Sequence, residues 1–187
     1  TSSFGIFASK DVGNNIAVTM SGLSITGVDA SNYSLAGNSI VTTGSITQKG
    51  LSIAGTTVAP KVYDATTSAT LSASGSLIGL VGNETLALSG LTASYADPNA
   101  GLGKSVGLSA SLLDGTNGGL ASNYYLLNAS TTGDITQKVL ALSGTVVANK
   151  VYDGNTNAVV TTLGTLSGFL GNETILLSGV TGTFATA

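Results

Sequence analysis

Short runs in which apolar and small polar residues alternate recur along the chain, each closed by a glycine-rich break. They are Leu51–Val58 (LSIAGTTV), Ala69–Ser74 (ATLSAS), Thr85–Tyr95 (TLALSGLTASY), Ser105–Leu113 (SVGLSASLL), Tyr124–Ser130 (YYLLNAS) and Ile135–Gly144 (ITQKVLALSG). A period of two predicts strands with one face toward a core. Helical spacing is broken by Gly or by Ser/Thr clusters wherever it begins, and strong helix formers such as Glu and Arg are scarce or missing. The pattern therefore predicts predominantly antiparallel β structure with no helix beyond a single turn.

The pattern also repeats at long range. A shift of 89 residues lays Gly50–Pro98 on Val139–Ala187 without a gap, with 23 of 49 positions identical. The matches cluster in words: KVYD at Lys61 and Lys150, GNET at Gly82 and Gly171, LSG at Leu88 and Leu177. The N-terminal stretch repeats less evenly, with Phe7, Gly13, SNY at Ser31 and ITQK at Ile46 returning as Tyr95, Gly101, SNY at Ser122 and ITQK at Ile135. The expected organisation is thus 1–49 as the second half of a repeat, 50–138 as one complete repeat, and 139–187 as the first half of the next. A period this long exceeds the 20–50 residues usual for solenoids and approaches the roughly 100 residues of an immunoglobulin-like sandwich. The fold expected is all-β, in tandem repeats of ~89 residues, each an immunoglobulin-like antiparallel β-sandwich. A β-grasp-like fold is the alternative, although it needs a helix the pattern does not show.

Composition narrows the class. Charged residues make up 8% of the chain, against about 25% in ordinary soluble domains, and the six basic residues are all Lys. With 42% apolar residues and a net charge of −3 the chain is expected to fold rather than stay disordered. Six scattered Lys opposed by nine carboxylates cannot form the basic stripe that phosphate neutralisation requires, so nucleic acid is not an expected partner. No apolar run approaches the ~20 residues of a membrane-spanning helix. Thr1–Lys10 lacks the basic start and apolar block of an export signal, which places any such signal outside this segment. Cysteine is absent, so disulfides and Cys metal sites are unavailable. Together with Gly, Ser, Thr and Asn enrichment this points to an extracellular or bacterial cell-surface location.

Candidate residues follow from the repeated words. In KVYD, Tyr63 and Tyr152 stand at a strand end and are expected to be largely buried, while Asp64 and Asp153 can cap the next turn. Gly154 suggests a left-handed turn residue, yet its counterpart is Ala65, so that conformation is not expected to be required. A sugar held by Tyr stacking and Asp hydrogen bonding is the functional alternative. GNET reads as a hairpin turn around Asn83 and Asn172. The same Asn residues head N-x-T sequons, as Asn32 and Asn128 head N-x-S. Asp29 four residues before Tyr33 suggests the tyrosine corner of immunoglobulin-like domains, although Leu120 stands at that position before Tyr124.

Catalytic groups are few: no His, Cys or Arg. The Ser-His-Asp arrangement and His-ligated zinc are therefore unavailable. A carboxylate dyad such as Asp64 with Asp97, or a calcium ion on Asp and backbone carbonyls, remains formally open. The expectation is no enzyme activity and no cofactor.

The words ITQK, SNY, LSG and LxxxGTxVAxKVYD resemble the YDG-type repeats of filamentous-haemagglutinin-like bacterial surface adhesins, over nearly the whole chain. Ala65 departs from the name-giving Gly, and Gln48 and Gln137 stand where such repeats often carry Pro. The resemblance implies an exported, tandemly repeated surface protein without implying a ligand. Three roles fit: a stalk or spacer, a self-associating fibre or matrix protein pairing head to tail through complementary half-repeats, and glycan or protein recognition through Tyr124 or Tyr125. The expected partners are neighbouring repeats or other copies of the chain.

Overall fold

The computed structural model describes residues 4–186, and it is all-β with several sheets. In chain order the strands are β1 Ile6–Phe7, β2 Gly13–Ser21, β3 Ser39–Ile46, β4 Lys49–Val58, β5 Lys61–Val62, β6 Ser68–Ala69, β7 Leu71–Ile78, β8 Leu86–Tyr95, β9 Gly101–Asp114, β10 Tyr124–Leu126, β11 Ala129–Thr136, β12 Ala141–Ser143, β13 Val146–Val147, β14 Asn157–Ala158, β15 Val160–Thr162, β16 Thr165–Ser167 and β17 Gly182–Thr183. Among the described residues the only helical elements are single 3-10 turns, Ala30–Asn32 and Ala121–Asn123.

The alternating pattern sets the strand faces, with one refinement. In β8 the inward positions are Leu86 and Leu88, then Leu91, Ala93 and Tyr95, so the phase slips by one residue at Ser89–Gly90. Gly90 sits at φ +64°. β9 slips likewise beside Gly103, at φ +60°. A left-handed residue inside a strand absorbs one extra residue and restores the inward face beyond it, which is why LSG interrupts an otherwise regular alternation.

The chain divides into two compact units. The first holds 4–57, 73–92 and 108–130. Its β1, β2 and β3 form an antiparallel three-stranded sheet with a bulge between Gly13 and Ile16. A second sheet has the order β10-β4-β7, in which β10 runs parallel to β4 with Tyr124 opposite Lys49 and Leu126 opposite Leu51. Leu51 and Tyr124 are its buried apolar residues.

The second unit holds 58–72, 93–107 and 131–186. Its sheet has the order β5-β11-β9-β8-β6, with β5 parallel to β11 and β6 antiparallel to β8. Tyr95, Val106 and Ile135 form the core, against which Val58, Tyr63, Ala69 and Ala93 pack. Residues beyond 140 add three antiparallel pairs, β12–β16, β13–β15 and β14–β17.

Parallel pairing is thus present beside the antiparallel pairs that the alternation suggested. Period two reports which face a residue occupies and nothing about strand direction; β4 and β10, and β5 and β11, are joined by long connections that permit either direction.

Tyr63 is half-buried, but Tyr152 is 83% exposed, contrary to the expectation that both would be covered. Tyr63 packs on a cluster built from Tyr95, Val106 and Ile135. Phe184 occupies the position 89 residues after Tyr95.

Candidate functional site

Two kinds of polar node are built from the repeated words. The first is KVYD. Lys61 Nζ donates to Asp64 Oδ1 at 2.7 Å and to the Thr66 carbonyl at 2.7 Å. Asp64 Oδ1 also accepts from the Thr66 backbone N–H at 2.9 Å and from its hydroxyl at 2.8 Å. The expected capping of the turn by Asp64 is therefore present, and the neighbouring ammonium is recruited into it. Lys61, closely followed by the Thr66 donors, holds the Asp64 carboxyl down at about 2. The ammonium also lies 5.6 Å from the Tyr95 ring centroid, where the ring quadrupole favours a cation.

The same node recurs at Lys150. Its ammonium reaches Asp153 Oδ1 at 2.6 Å and the Asn155 carbonyl at 2.6 Å, and lies 5.9 Å from the Phe184 ring. Asp153 accepts from the Asn155 N–H at 3.2 Å, and Lys150 holds its carboxyl below the ordinary range.

One expectation here is reversed. Ala65 occupies the left-handed region at φ +60°, alongside Gly154 at φ +74°. The turn imposes that conformation whichever residue is present, and a side chain there costs roughly 1–2 kcal/mol. Ala65→Gly is expected to raise stability by about 1 kcal/mol, and Gly154→Ala to lower it by about as much. A Cβ at Gly154 meets nothing within 4 Å, so the second effect is conformational alone. Urea unfolding of the two variants with an unchanged slope would check both.

The second node involves GNET. Glu84 N–H donates to the Val81 carbonyl at 3.1 Å, and Gly82 lies at φ +56°, so the words do form tight turns. The flanking β7 and β8 belong to different sheets, however, so the turn is a crossover rather than the hairpin the sequence suggested. Asn83 and Asn172 are exposed in these turns.

Glu84 meets Tyr124, whose hydroxyl donates to Oε2 at 2.5 Å and accepts from the Val81 N–H at 3.2 Å. Glu84 raises the Tyr124 phenol above its usual pKa, with desolvation adding to the effect. Around this contact, Gln48 Nε2 donates to the Ser122 and Tyr124 carbonyls, each at 3.1 Å. Asn123 accepts from the Val12 N–H at 2.9 Å and donates to Asp11 Oδ1 at 2.8 Å. A cleft of about 210 Å³ remains beside Lys10, Lys49, Glu84 and Tyr124.

In the second unit Glu173 accepts a hydrogen bond from the Tyr63 hydroxyl, which raises the Tyr63 phenol above its usual pKa. The surrounding cleft is larger, about 420 Å³, and is lined by Tyr63, Asn99, Gln137, Lys138, Phe169 and Glu173 among others.

Several sequence expectations change accordingly. The Tyr124 hydroxyl bonds a carboxylate and an N–H some forty residues upstream, not the nearby backbone of a tyrosine corner. Tyr124 is 3% exposed and so unavailable for recognition, while Tyr125 and Tyr33 are open to solvent. Asp64 and Asp97 are each ion-paired to their own lysine, Lys61 and Lys104. No three Asp or Glu among the described residues converge as metal ligands would. The residues overlooked are Glu84 and Glu173. The signal was present: a chain with only two Glu places both at the same position of a repeated word.

The family model of the YDG domain matches residues 1–40, 47–133 and 136–187. No curated protein and no solved structure matches the chain.

Proposed function

The chain belongs to the YDG domain family, and on that premise we propose that it is a stalk or spacer segment of an exported bacterial surface protein of the filamentous-haemagglutinin-like adhesin type. The observation carrying this reading is that one family model matches three successive segments covering nearly the whole chain. On this reading the chain is a tandem array of ~89-residue repeats, sandwich-like or β-grasp-like, divided at 1–49, 50–138 and 139–187, which projects a binding domain elsewhere in the protein and performs no catalysis. Charged residues such as Lys61 with Asp64 and Lys150 with Asp153 are committed to turns and ion pairs, which suits a structural role. Electron microscopy of arrays with different repeat numbers should show single unbranched rods whose length grows in proportion. Compact particles of constant length would refute the spacer.

A second reading, a fibre or matrix that self-associates head to tail, is favoured by a different observation. Residues beyond 138 carry exposed apolar side chains, including Val139, Val151, Val159 and Leu176, on a chain whose low charge weakens repulsion between copies.

A further inference from the structure

Tension along a spacer enters the repeat 50–138 through β4 and leaves it through β11. β4 and β10 pair in parallel, with Lys49 opposite Tyr124 and Leu51 opposite Leu126. β5 and β11 also pair in parallel, with Lys61 opposite Ile135 and Val62 opposite Thr136. Each pair therefore joins a strand near the entry of the repeat to a strand near its exit. Partners in a parallel pair run the same way, so a pull on the N-terminal end of one and the C-terminal end of the other slides them past each other. All the bonds between them must then yield together. Antiparallel entry and exit strands would instead be pulled at one shared end, and their bonds would open one at a time.

Burial is concentrated on the same two pairs. Of the five buried apolar residues among those described, Leu51, Tyr124 and Ile135 stand in them. A buried hydrogen bond is electrostatically stronger than one in water, and no solvent waits to replace it when it is stretched. The Leu127 N–H donates to the Leu51 carbonyl at 2.8 Å, and the Tyr63 N–H donates to the Thr136 carbonyl at 2.8 Å. The repeated word ITQK adds side-chain bonds at both ends. Gln48, in the copy that precedes the repeat, donates from Nε2 to the Ser122 and Tyr124 carbonyls, each at 3.1 Å. Thr136, in the copy that ends it, donates from its hydroxyl to the Lys61 carbonyl at 3.3 Å.

We propose that β4–β10 and β5–β11 form a clasp that resists tension along the chain in shear, and that ITQK is the junction word which closes it. The Thr of each ITQK ties the exit strand of the repeat it ends, and the Gln ties the entry strand of the repeat it opens. The clasp gives the word a task that a turn or a core position does not. It also lets a spacer keep its folded length when the target of the binding domain is pulled away.

The clasp rests on the spacer reading, and single-molecule force spectroscopy on the whole chain tests it apart from that reading. The chain has no cysteine, so handles attach only where one is introduced. Lys49→Cys with Lys138→Cys, both exposed, loads both pairs in shear. Lys49→Cys with Ser122→Cys, also exposed, pulls β4 and β10 from the end they share. At one loading rate the first geometry should need several times the force of the second, because forced unfolding follows the height of the unfolding barrier. Gln48→Ala with Thr136→Val, both at exposed positions, should lower that force. Thr85→Val removes the bonds to the Thr116 N–H and hydroxyl, away from the clasp. It should lower the denaturant midpoint and leave the shear force unchanged. Equal forces in the two geometries overturn the clasp, as does a shear force unmoved by the Gln48 and Thr136 changes or lowered equally by Thr85→Val. Rod lengths in electron microscopy decide the spacer independently, so failure of the clasp is distinguishable from failure of the spacer.

Discussion

Replacing Tyr124 with alanine is expected to lower the unfolding free energy by about 3–5 kcal/mol, the range for truncating a large buried aromatic. The ring is 3% exposed, and in the same sheet Leu51 is fully buried. The substitution also strips the hydroxyl from between the Glu84 carboxylate and the Val81 N–H. Tyr124→Phe isolates that part: a hydrogen bond to a charged acceptor contributes about 1.5–3 kcal/mol, so the phenylalanine variant should lose that much and no more. Glu84→Gln should lose less than Tyr124→Phe, because an amide oxygen still accepts from the phenol. Denaturant unfolding followed by a probe in the first unit distinguishes these outcomes. A Tyr124→Phe variant as stable as the parent would mean that the Glu84 contact contributes nothing.

Tyr95→Ala should be comparably damaging in the second unit, again by about 3–5 kcal/mol. Tyr95 is 2% exposed and packs with Val106 and Ile135. Its hydroxyl donates to the Asp134 carbonyl at 3.2 Å, and its ring faces the Lys61 ammonium. Truncation therefore opens a cavity and removes a face of the Lys61–Asp64 node together. Tyr95→Phe should cost only about 1 kcal/mol, the net value of one neutral hydrogen bond, consistent with phenylalanine standing at the matching position 184 beside Lys150. Tyr152→Ala provides the contrast. Its side chain is exposed, so the loss should stay within about 0.5 kcal/mol. Thermal unfolding of the three variants would order them Tyr95→Ala, Tyr95→Phe, Tyr152→Ala by loss. A large loss at Tyr152 would show that its side chain packs against something in solution.

Local chemistry was readable from the chain by itself. Alternation with β-branched and small residues specified strands and excluded helices, because one buried face with period two can be satisfied by nothing else of that length. The turn of KVYD was also readable, since an Asp two residues before a backbone N–H caps it without help from distant residues. SNY likewise adopts the same 3-10 turn at Ala30 and at Ala121.

Burial was not readable, and identical words show why. Tyr33 and Tyr124 share their word and their backbone conformation, yet one is open and the other enclosed. Tyr63 and Tyr152 share a Lys–Asp turn, yet only Tyr63 packs against a core. Local conformation depends on neighbours in sequence, which the repeat reproduces; enclosure depends on strands contributed from distant parts of the chain, which it does not. The same division accounts for strand direction, for the crossover at GNET, and for the pairing of Glu84 with Tyr124 and of Glu173 with Tyr63. The amino-acid sequence by itself determined the strands, the turns and their recurrence, and only the tertiary structure decided which recurring tyrosine is covered and which carboxylate covers it.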